Sequence, residues 1–381
     1  MKILQIGKFY PIVGGVEKVM YDITTGVSER GICCDMLCAT SEHAYRGTLH
    51  LNDYGHIFCA PTLFKLAATM ISPAMILRLR KIQREYDIIH IHHPDPMACL
   101  ALFLSGYKGK VVLHWHSDIL KQKTLLKLYA PLQRWLIRRA DRIVGTTPVY
   151  VKDSPFLQEV RNKVTSIPIG IKRVVTDKGG VRAIRERYQG KKIILSVGRL
   201  VGYKGYDYLI GAANYLDDDY VILIGGSGPL KDELQSIIDR TAVSDKVKLL
   251  GFIPDGVLSD YYEACDLFCL SSIWKTEAFA IVQIEAMSCG KPVVATNIKG
   301  SGVSWVNADG ISGLNVEPAN AGCLAGAITQ ILSDDDLYAK LSRGAMDRYH
   351  SLFTRERMVD GCLGLYDRVL AEDASGQESG K

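Results

Sequence analysis

Short apolar runs and amphipathic segments alternate along most of this chain, and the alternation predicts strands and helices in turn. Residues 2–7 predict a first strand, and a loop of residues 8–15 separates it from a helical pattern that begins at Val16. Repeated alternation of this kind favours a mostly parallel, doubly wound α/β sheet. Further strands are predicted at residues 33–40, 55–61, 86–93, 110–117, 142–147, 163–170, 191–197, 220–225, 246–252, 266–271, 291–296 and 314–316.

A polar, glycine-containing run at residues 172–180 separates two halves that share this layout. We therefore expect two doubly wound α/β domains, residues 1–171 and 172–353, that face each other across a ligand-binding cleft. One apolar face within residues 354–372 predicts a final helix, which we expect to pack back on the first domain.

Composition narrows the class of protein. A length of 381 residues with 48% hydrophobic and 23% charged residues is typical of a globular protein of two or three domains. Ten cysteines without a secretory leader predict reduced, mostly buried thiols and a cytoplasmic location. No apolar run approaches the ~18 residues of a membrane span. The net charge of +5 favours anionic ligands or a membrane surface, and we expect no nucleic-acid partner.

Two glutamates stand eight positions apart after the strand at residues 266–271, Glu277 in a polar loop and Glu285 in the following helix. A loop between a parallel strand and a helix N-terminus is a usual ligand site, because its amides suit phosphates or sugar hydroxyls. Glu285 can accept from a vicinal diol such as a ribose. On spacing alone, however, two ordinary surface carboxylates are the better explanation.

Three other loops after strands carry candidate ligand groups. Arg199 and Lys204 are five positions apart and can both reach a diphosphate, although solvated surface cations have the same pattern. Gly15 precedes a helix N-terminus where an amide can meet phosphate, but a tight turn explains that glycine equally well. Backbone groups at Phe252 can read a nucleobase.

Histidines cluster at the ends of two strands of the first half, and two explanations remain open for them. His116 is the best candidate for a ligand contact, whereas His90 and His114 are better explained as hydrogen-bonded structural residues. A zinc site is the alternative, because three converging ligands are available among His90, His92, His93, His114, His116, Asp95 and Asp118.

The combination of these motifs resembles the retaining glycosyltransferases of family 4 over nearly the whole chain. The most specific match is Glu277 to Thr296, with Gly198-Arg199, Lys204-Gly205 and Gly225 to Pro229 before it. The resemblance implies the GT-B fold, an α/β fold with two Rossmann-like doubly wound domains. It also implies a nucleotide-sugar donor, retention of configuration, and neither a metal ion nor any other cofactor.

The resemblance assigns roles residue by residue. Arg199 and Lys204 would hold the donor diphosphate and stabilise the leaving nucleoside diphosphate, and Gly15 would offer its amide to the same phosphates. Glu277 would face hydroxyls of the transferred sugar, and Glu285 would bind the ribose diol.

Further contacts are implied on both sides of the donor. The amides of Phe279, Ala280 and Ile281 would line the sugar and phosphate, and His116 would contact the sugar near the reacting carbon. The chain departs from the family where Ile169 and Lys172 replace an Asn-Gly and aspartate pattern. It departs again where Ala280 replaces a frequent glycine.

Within the family, the chain is most similar to bacterial O-antigen mannosyltransferases. This likeness implies GDP-mannose as donor, a polyprenyl-diphosphate-linked saccharide as acceptor, and other O-antigen assembly enzymes as partners. A UDP-sugar transferase of capsule or exopolysaccharide assembly and a non-catalytic nucleotide-sugar-binding module are the alternatives. An NAD-dependent oxidoreductase is not expected, because residues 7–15 lack the GxGxxG spacing.

Residues 121–142 combine seven cations and one acid with interleaved leucines and a tryptophan. A basic amphipathic helix of this kind predicts a peripheral contact with the inner face of the cytoplasmic membrane. A domain helix with its apolar side in the core and a basic solvent side explains the pattern equally well.

Overall fold

The computed structural model describes residues 1–12, 14–66, 69–119 and 123–378. The chain forms two compact units. The N-terminal unit comprises Met1–Gly170 together with the C-terminal helix, which begins at Arg355, and the C-terminal unit comprises Ile171–Thr354. Among the described residues, no helix is both long enough and apolar enough to cross a membrane. Lys121, the first cation of the predicted membrane-contacting segment, lies outside the described residues.

The N-terminal unit is built on one large sheet. The strands of this unit are β1 (Lys2–Phe9), β2 (Cys33–Thr40), β3 (Gly47–Asn52), β4 (Gly55–Pro61), β5 (Phe64–Leu66), β6 (Thr69–Ile71), β7 (Ile88–His93), β8 (Lys110–Trp115), β9 (Arg142–Gly145) and β10 (Val164–Ser166). Eight of them form a sheet in the order β10-β9-β8-β7-β1-β2-β4-β3, parallel throughout except for β3. β5 and β6 form a separate antiparallel pair.

Helices cover both faces of this sheet. They are α1 (Gly15–Ser28), α2 (Pro73–Ile82), α3 (Pro96–Ser105), α4 (Lys123–Arg139), α5 (Pro148–Asp153) and the C-terminal helix (Arg355–Glu378). The β1-to-β2 connection runs across the sheet in the direction opposite to the β7-to-β8 connection. Because both crossovers are right-handed, α1 and α3 lie on opposite faces.

Local sequence explains where several of these helices begin. α2, α3 and α5 each have a proline in the first turn, where no backbone donor is lost. Ser72, Asp95 and Thr147 precede them, and each side-chain oxygen accepts a hydrogen bond from a backbone N–H of the first turn. The sequence therefore sets these helix starts without help from distant contacts.

The C-terminal helix packs on α1. The guanidinium of Arg355 donates to the carbonyl oxygen of Asp22 and to Thr25 Oγ1, at 3.1 and 2.6 Å, and pairs with Glu29 at 2.7 Å. Gly26 allows the close approach, since a Cβ at that position would collide with the side chain of Val359. A buried arginine and a glycine thus anchor this helix to the N-terminal unit.

The C-terminal unit has a fully parallel sheet. Its strands are β11 (Lys192–Val197), β12 (Tyr220–Gly225), β13 (Val247–Gly251), β14 (Leu267–Leu270), β15 (Val293–Thr296) and β16 (Gly313–Val316). The order β13-β12-β11-β14-β15-β16 places the first three strands on one side and the last three on the other. The connections therefore change direction between β11 and β14, and open α/β sheets bind ligands beyond the strand ends at such a switch point.

Helices connect these strands. They are α6 (Lys178–Arg187), α7 (Tyr206–Ala212), α8 (Lys231–Arg240), α9 (Asp255–Ala264), α10 (Ile281–Ser288), α11 (Val303–Val306), α12 (Ala321–Leu332) and α13 (Asp335–Leu352). Residues from α7, α8 and α12 pack with β11 and β12 in one apolar core. The expectation of parallel, doubly wound sheets is confirmed in both units. The sequence pattern missed β3 and the β5–β6 pair, and the C-terminal helix extends past residue 372 to Glu378.

Candidate functional site

Two oppositely charged side chains meet at the switch point of the C-terminal sheet. Lys204 lies in the loop after β11, Glu277 lies in the loop after β14, and Lys204 Nζ is 2.6 Å from Glu277 Oε2. The two residues are only 7% and 8% exposed. Ser272 Oγ donates a further hydrogen bond to the same carboxylate oxygen, at 2.9 Å. The structure thus brings together two of the predicted catalytic residues.

Burial and charge oppose each other at this ion pair. Burial by itself lowers the pKa of Lys204, but the neighbouring carboxylate of Glu277 outweighs it and raises that pKa above its ordinary value. The ammonium is therefore charged at neutral pH. A positive charge held in a largely dry position interacts with an arriving anion more strongly than a solvated lysine does.

Glycines allow the two loops to pack tightly. Gly205 has a φ of +62°, and a Cβ there would collide with the carbonyl oxygen of Ser271. A Cβ at Gly198 would lie 3.0 Å from Lys204 Nζ, so this glycine leaves room for the ammonium. Ser271 Oγ also donates to the carbonyl of Lys204 at 2.9 Å and fixes one loop on the other. These contacts hold the ion pair in one place.

The loop after β14 leads directly into α10. Phe279 is buried and makes an edge contact with Phe353, at 5.9 Å between ring centroids. Ala280 follows with a φ of +60°, the left-handed region that favours glycine, and Ile281 is the first residue of α10. The departure at Ala280 therefore falls on a backbone position that glycine would occupy without strain.

Glu285 lies in α10, where the sequence places it. Its Oε2 accepts a hydrogen bond from the hydroxyl of Tyr262 at 2.7 Å. Burial raises the pKa of Tyr262, and the carboxylate of Glu285 raises it further, so the phenol stays protonated and remains a donor. One oxygen of Glu285 is thus oriented by the protein itself.

The remaining predicted residues of this unit are more open to solvent. Arg199 follows β11 and is exposed, and within the described part of the chain its guanidinium has no ion pair or hydrogen bond. Phe252 follows β13 and is 74% exposed. Arg199 follows the same strand as Lys204, and Phe252 follows a strand two positions away in the sheet, so all three lie at the carboxyl ends of parallel strands.

Gly15 is the first residue of α1, directly after the loop that ends β1. The carboxylate of Glu17 lies beside it, since a Cβ at Gly14 would be 2.5 Å from Glu17 Oε2. An anion is favoured at a helix N-terminus because the exposed amides and the helix dipole attract it. The structure therefore shows a carboxylate at the N-terminus of α1, where the sequence predicts a phosphate contact.

His116 follows β8 and is buried. Its Nε2 is 2.9 Å from Nδ1 of His92, whereas its Nδ1 has no hydrogen-bond partner among the described residues. The loop that carries it is fixed by Asp118, whose Oδ1 accepts from Trp115 Nε1 at 2.9 Å and from Ser154 Oγ at 2.7 Å. The ring is therefore hydrogen-bonded on one side, whereas the nitrogen on its other side is buried and unpaired among the described residues.

Four buried imidazoles form a stack on one face of the N-terminal sheet, and we call it the histidine stack: His90, His92, His114 and His116. Adjacent rings are nearly parallel, with an interplanar angle of 4° between His114 and His116. Burial lowers the pKa of every member, and neighbouring imidazoles lower the pKa values of all but His114 further. The four rings are therefore neutral at physiological pH.

The zinc hypothesis can be compared with this geometry. Ring nitrogens of His90, His92 and His114 lie within 4.8 Å of one another. Both nitrogens of His92, however, are already hydrogen-bonded, to Gln5 and to His116. Asp95 and Asp118 are also occupied, since Asp95 caps α3 and Asp118 holds the His116 loop. The hydrogen-bonded structural role that the sequence suggested fits His90, whose Nδ1 lies 2.6 Å from the hydroxyl of Tyr366. The same prediction is wrong for His114, because neither of its ring nitrogens has a hydrogen-bond partner among the described residues.

Several residues of the site could not be recognised in the sequence. Ser272 and Tyr262 hold the two glutamates, and Gln5 and Tyr366 contact the histidine stack. Each is a common residue type in an ordinary strand, loop or helix pattern. No sequence signal marks them, because their roles depend on contacts between distant parts of the chain.

Comparison with known proteins identifies both halves. Residues 13–173 match the family model "Glycosyltransferase Family 4", and residues 177–348 match "Glycosyl transferases group 1". An O-antigen chain mannosyltransferase from Escherichia coli is 30% identical over 97% of this chain and 99% of its own length. A D-rhamnosyltransferase from Pseudomonas aeruginosa is 30% identical over 99% of this chain and 98% of its own.

Solved structures share the fold. The Anabaena protein HepE, crystallised with UDP, has a TM-score of 0.76 at 21% identity, covering 97% of this chain and all of that chain. A sucrose-phosphate synthase from Thermosynechococcus elongatus has a TM-score of 0.79 at 20% identity, covering 98% of this chain and all of that chain. The expected GT-B architecture, with two Rossmann-like parallel sheets, is thus confirmed.

Proposed function

This chain belongs to the family 4 glycosyltransferases, and we propose that it transfers mannose, with retention, from GDP-mannose to a lipid-linked saccharide of O-antigen assembly. The observation that carries the reaction is the buried Lys204–Glu277 pair at the switch point of the C-terminal sheet. A fixed cation beside a fixed carboxylate suits a substrate that has both a diphosphate and sugar hydroxyls.

Each predicted residue has a separate task in this reaction. The bond between the sugar C1 and the diphosphate breaks, and its electron pair moves to the leaving phosphate. Lys204 and Arg199 stabilise the negative charge that develops there, as preorganised donors do in other active sites. Glu277 accepts hydrogen bonds from the sugar, and Glu285 accepts from the ribose hydroxyls.

The amides around the start of α10 complete the donor contacts. Phe279, Ala280 and Ile281 lie where the loop after β14 enters the helix, and their N–H groups suit the sugar and phosphate oxygens. Gly15 offers an amide to the phosphates, His116 contacts the sugar, and backbone at Phe252 contacts the base. The acceptor oxygen attacks C1 from the face that the diphosphate leaves, and its proton passes to that phosphate.

No metal ion is part of this proposal. Lys204, Arg199 and the helix N-termini supply the positive potential that a divalent ion would otherwise supply to the leaving group. Chelation is therefore expected to leave the transfer rate unchanged.

A donor screen tests the proposed function and its alternatives. Purified protein is incubated with a lipid-linked saccharide acceptor and GDP-mannose, UDP-sugars or ADP-glucose, and release of nucleoside diphosphate is measured, with Glu277→Ala as the matched control. We expect GDP release from GDP-mannose that the variant lacks. UDP release would instead support a UDP-sugar transferase, the class suggested by HepE structures with UDP and UDP-glucose. Binding without release from any donor would support the non-catalytic module.

We also propose a peripheral position on the inner face of the cytoplasmic membrane, where a polyprenyl-diphosphate-linked acceptor would lie. Support comes from the surface formed by α2, α3 and α4, here called the basic face. Among residues whose side chains are described, α2 contains three cations and α4 contains four, and the sequences of the three helices contain no aspartate or glutamate. Leu77 and Leu128 are 66% and 79% exposed there. Cations and exposed apolar side chains together suit an anionic leaflet.

Vesicle sedimentation tests the basic face. We expect more protein to sediment with anionic than with neutral vesicles, and Arg134→Glu on α4 to reduce that difference. Arg368→Glu is the matched control, because it reverses an exposed charge on the C-terminal helix, outside the basic face. Equal sedimentation with both vesicle types, or equal loss in both variants, would contradict membrane docking through this face.

A further inference from the structure

A chain of four buried side chains connects the C-terminal helix to His116. Gln5 Nε2 lies 3.0 Å from the hydroxyl of Tyr366, and Gln5 Oε1 lies 2.8 Å from Nε2 of His92. His92 Nδ1 is in turn 2.9 Å from Nε2 of His116. Every member is at most 5% exposed, so water does not compete for these bonds. The sequence positions are far apart, and the sheet and the helix bring them together.

The direction of these bonds follows from the chemistry of each group. A neutral imidazole has one N–H donor and one lone pair, and an amide oxygen can only accept. His92 must therefore donate from Nε2 to Gln5, which leaves the lone pair on Nδ1. His116 must then donate from Nε2 to His92. The lone pair of His116 is consequently on Nδ1, the nitrogen that has no partner among the described residues.

Gln5 turns its amide oxygen towards His92, while its Nε2 lies 3.0 Å from the hydroxyl of Tyr366 and 3.9 Å from Sγ of Cys34. The Tyr366 hydroxyl accepts from Gln5 Nε2 and can donate to His90 Nδ1, which lies 2.6 Å away. If the amide were rotated by 180°, every bond of the chain would reverse and His116 would have its proton on Nδ1. The tautomer of His116 thus depends on the orientation of the Gln5 amide, and Tyr366 contributes one of the acceptors that Nε2 of this amide meets.

We propose that Gln5, His92 and Tyr366 are positioning residues that hold His116 as its Nε2–H tautomer, so that Nδ1 accepts a hydrogen bond from a hydroxyl of the donor sugar. The part that concerns the sugar rests on the proposed function. The part that concerns the tautomer rests only on the free protein. This control matters because in the opposite tautomer Nδ1 would carry the proton and act as a donor. The sugar hydroxyl would then have to accept a hydrogen bond instead of donating one.

The tautomer can be measured without any ligand. Long-range ¹H–¹⁵N correlation spectra of the full chain, labelled with ¹⁵N-histidine, distinguish Nε2–H from Nδ1–H for each ring. The His116 signals are assigned from their loss in His116→Gln. We expect both His92 and His116 as Nε2–H tautomers. An Nδ1–H tautomer at His116 would overturn the proposal, even if the protein proves to be an active transferase.

A pair of matched variants tests the role of Tyr366. Tyr366→Phe removes the hydroxyl that accepts from Gln5, whereas Tyr107→Phe removes another buried hydroxyl, which donates to the carbonyl of Tyr86 outside the chain of four side chains. We expect mixed His116 tautomers and a kcat about threefold to tenfold lower in Tyr366→Phe alone, the change that one neutral hydrogen bond supports. The KM for the donor should change little, because Lys204 and Arg199 provide the diphosphate contacts.

Gln5→Met gives a second, independent test, because methionine has a similar shape and no amide. We expect it to abolish the tautomer preference of His116 and to lower kcat at least as much as Tyr366→Phe does. An unchanged His116 spectrum in both variants would overturn the positioning role. A wild-type protein that has the expected His116 tautomer but shows no transferase activity would instead refute only the proposed function.

Discussion

Both units contain a buried polar cluster near the carboxyl ends of central strands, and the two clusters differ in charge. In the C-terminal unit, Lys204 and Glu277 carry full opposite charges at 2.6 Å. In the N-terminal unit, the histidine stack is neutral and is ordered by hydrogen bonds with Gln5 and Tyr366. The proposed function gives the two clusters different tasks, in which Lys204 would meet the anionic diphosphate and Glu277 and His116 would contact the sugar.

The largest expected effect is on catalysis by the charged cluster. Lys204→Ala and Glu277→Ala should each reduce kcat by about 10²–10³-fold or more, because they remove a preorganised interaction with charge that develops in the transition state. The rate of nucleoside diphosphate release measures the effect, and circular dichroism checks that the variants fold.

Lys246→Ala is a suitable control for this comparison. Lys246 pairs with Asp218 at 3.1 Å and donates to the carbonyl of Leu216, at the end of the sheet away from the loops that follow the strands. We expect it to keep nearly the wild-type rate. A Lys204→Ala enzyme as fast as the Lys246→Ala enzyme would refute the role given to the charged cluster.

Removing Lys204 from the ion pair should destabilise the protein more than removing the charges of both members does. Lys204→Met should lower the free energy of unfolding by about 3 kcal/mol, because it leaves the Glu277 carboxylate buried and unpaired. The double variant Lys204→Met/Glu277→Gln should recover much of this loss, since no charge then remains. Denaturant unfolding of the wild type, Lys204→Met, Glu277→Gln and the double variant measures the coupling, and additive losses would contradict a strongly coupled buried pair.

Buried neutral histidines around the histidine stack predict a different effect: the protein should lose stability as the pH falls. Burial lowers the pKa of His114, a member of the histidine stack, and of His93, which follows His92 in β7 outside the stack, from 6.5 to about 3. Above pH 6.5 neither the folded nor the unfolded chain binds these protons, so the two histidines contribute nothing to the pH dependence there. Between about 6.5 and 3 only the unfolded chain binds them, and the unfolding free energy should fall by about 1.4 kcal/mol per pH unit for each.

This acid sensitivity should be confined to the N-terminal unit, because His350 is the only histidine in residues 171–354. Hydrogen–deuterium exchange at pH 7 and pH 5, corrected for the intrinsic exchange rate, measures each unit separately. Equal loss of protection in the two units would show that the histidines are not the cause.

The smallest expected effect concerns the entry to α10. Ala280→Gly should raise the free energy of unfolding by up to ~1 kcal/mol, because glycine adopts the observed φ of +60° without strain. Ala278→Gly, in the same loop, should lower it by a similar amount, since Ala278 does not have a positive φ. Thermal unfolding of both variants checks the opposite signs, and a shared sign would contradict the strain at residue 280.

Periodicity was sufficient for most of the fold. The bounds of β2, β4 and β12 agree with the apolar runs at residues 33–40, 55–61 and 220–225, because buried parallel strands are almost continuously apolar. β3 was missed because it is an edge strand with no buried residue, so no continuous apolar run marks it. β5 and β6 have three residues each, too few for a periodic pattern.

The site was only partly predictable. The sequence identifies Lys204, Glu277 and Glu285 as chemical groups on loops and a helix after strands. It cannot show that the first two touch, because the contact depends on the adjacency of β11 and β14 in the sheet. The partners Ser272 and Tyr262 could not be predicted either, and neither could the hydrogen-bond chain from Tyr366 to His116, because these contacts also join distant parts of the sequence. Ala280 was recognised as a departure from the family, but its positive φ needed the structure.

The most direct test of the account is the turnover of labelled GDP-mannose with a lipid-linked acceptor in the presence of excess EDTA. Wild-type protein and Lys204→Ala are compared under the same conditions. The account predicts that the wild-type enzyme keeps its full rate of GDP release in EDTA while Lys204→Ala loses at least about 99% of it. A wild-type rate abolished by EDTA and restored by a divalent ion, or a Lys204→Ala rate equal to wild type, would contradict it.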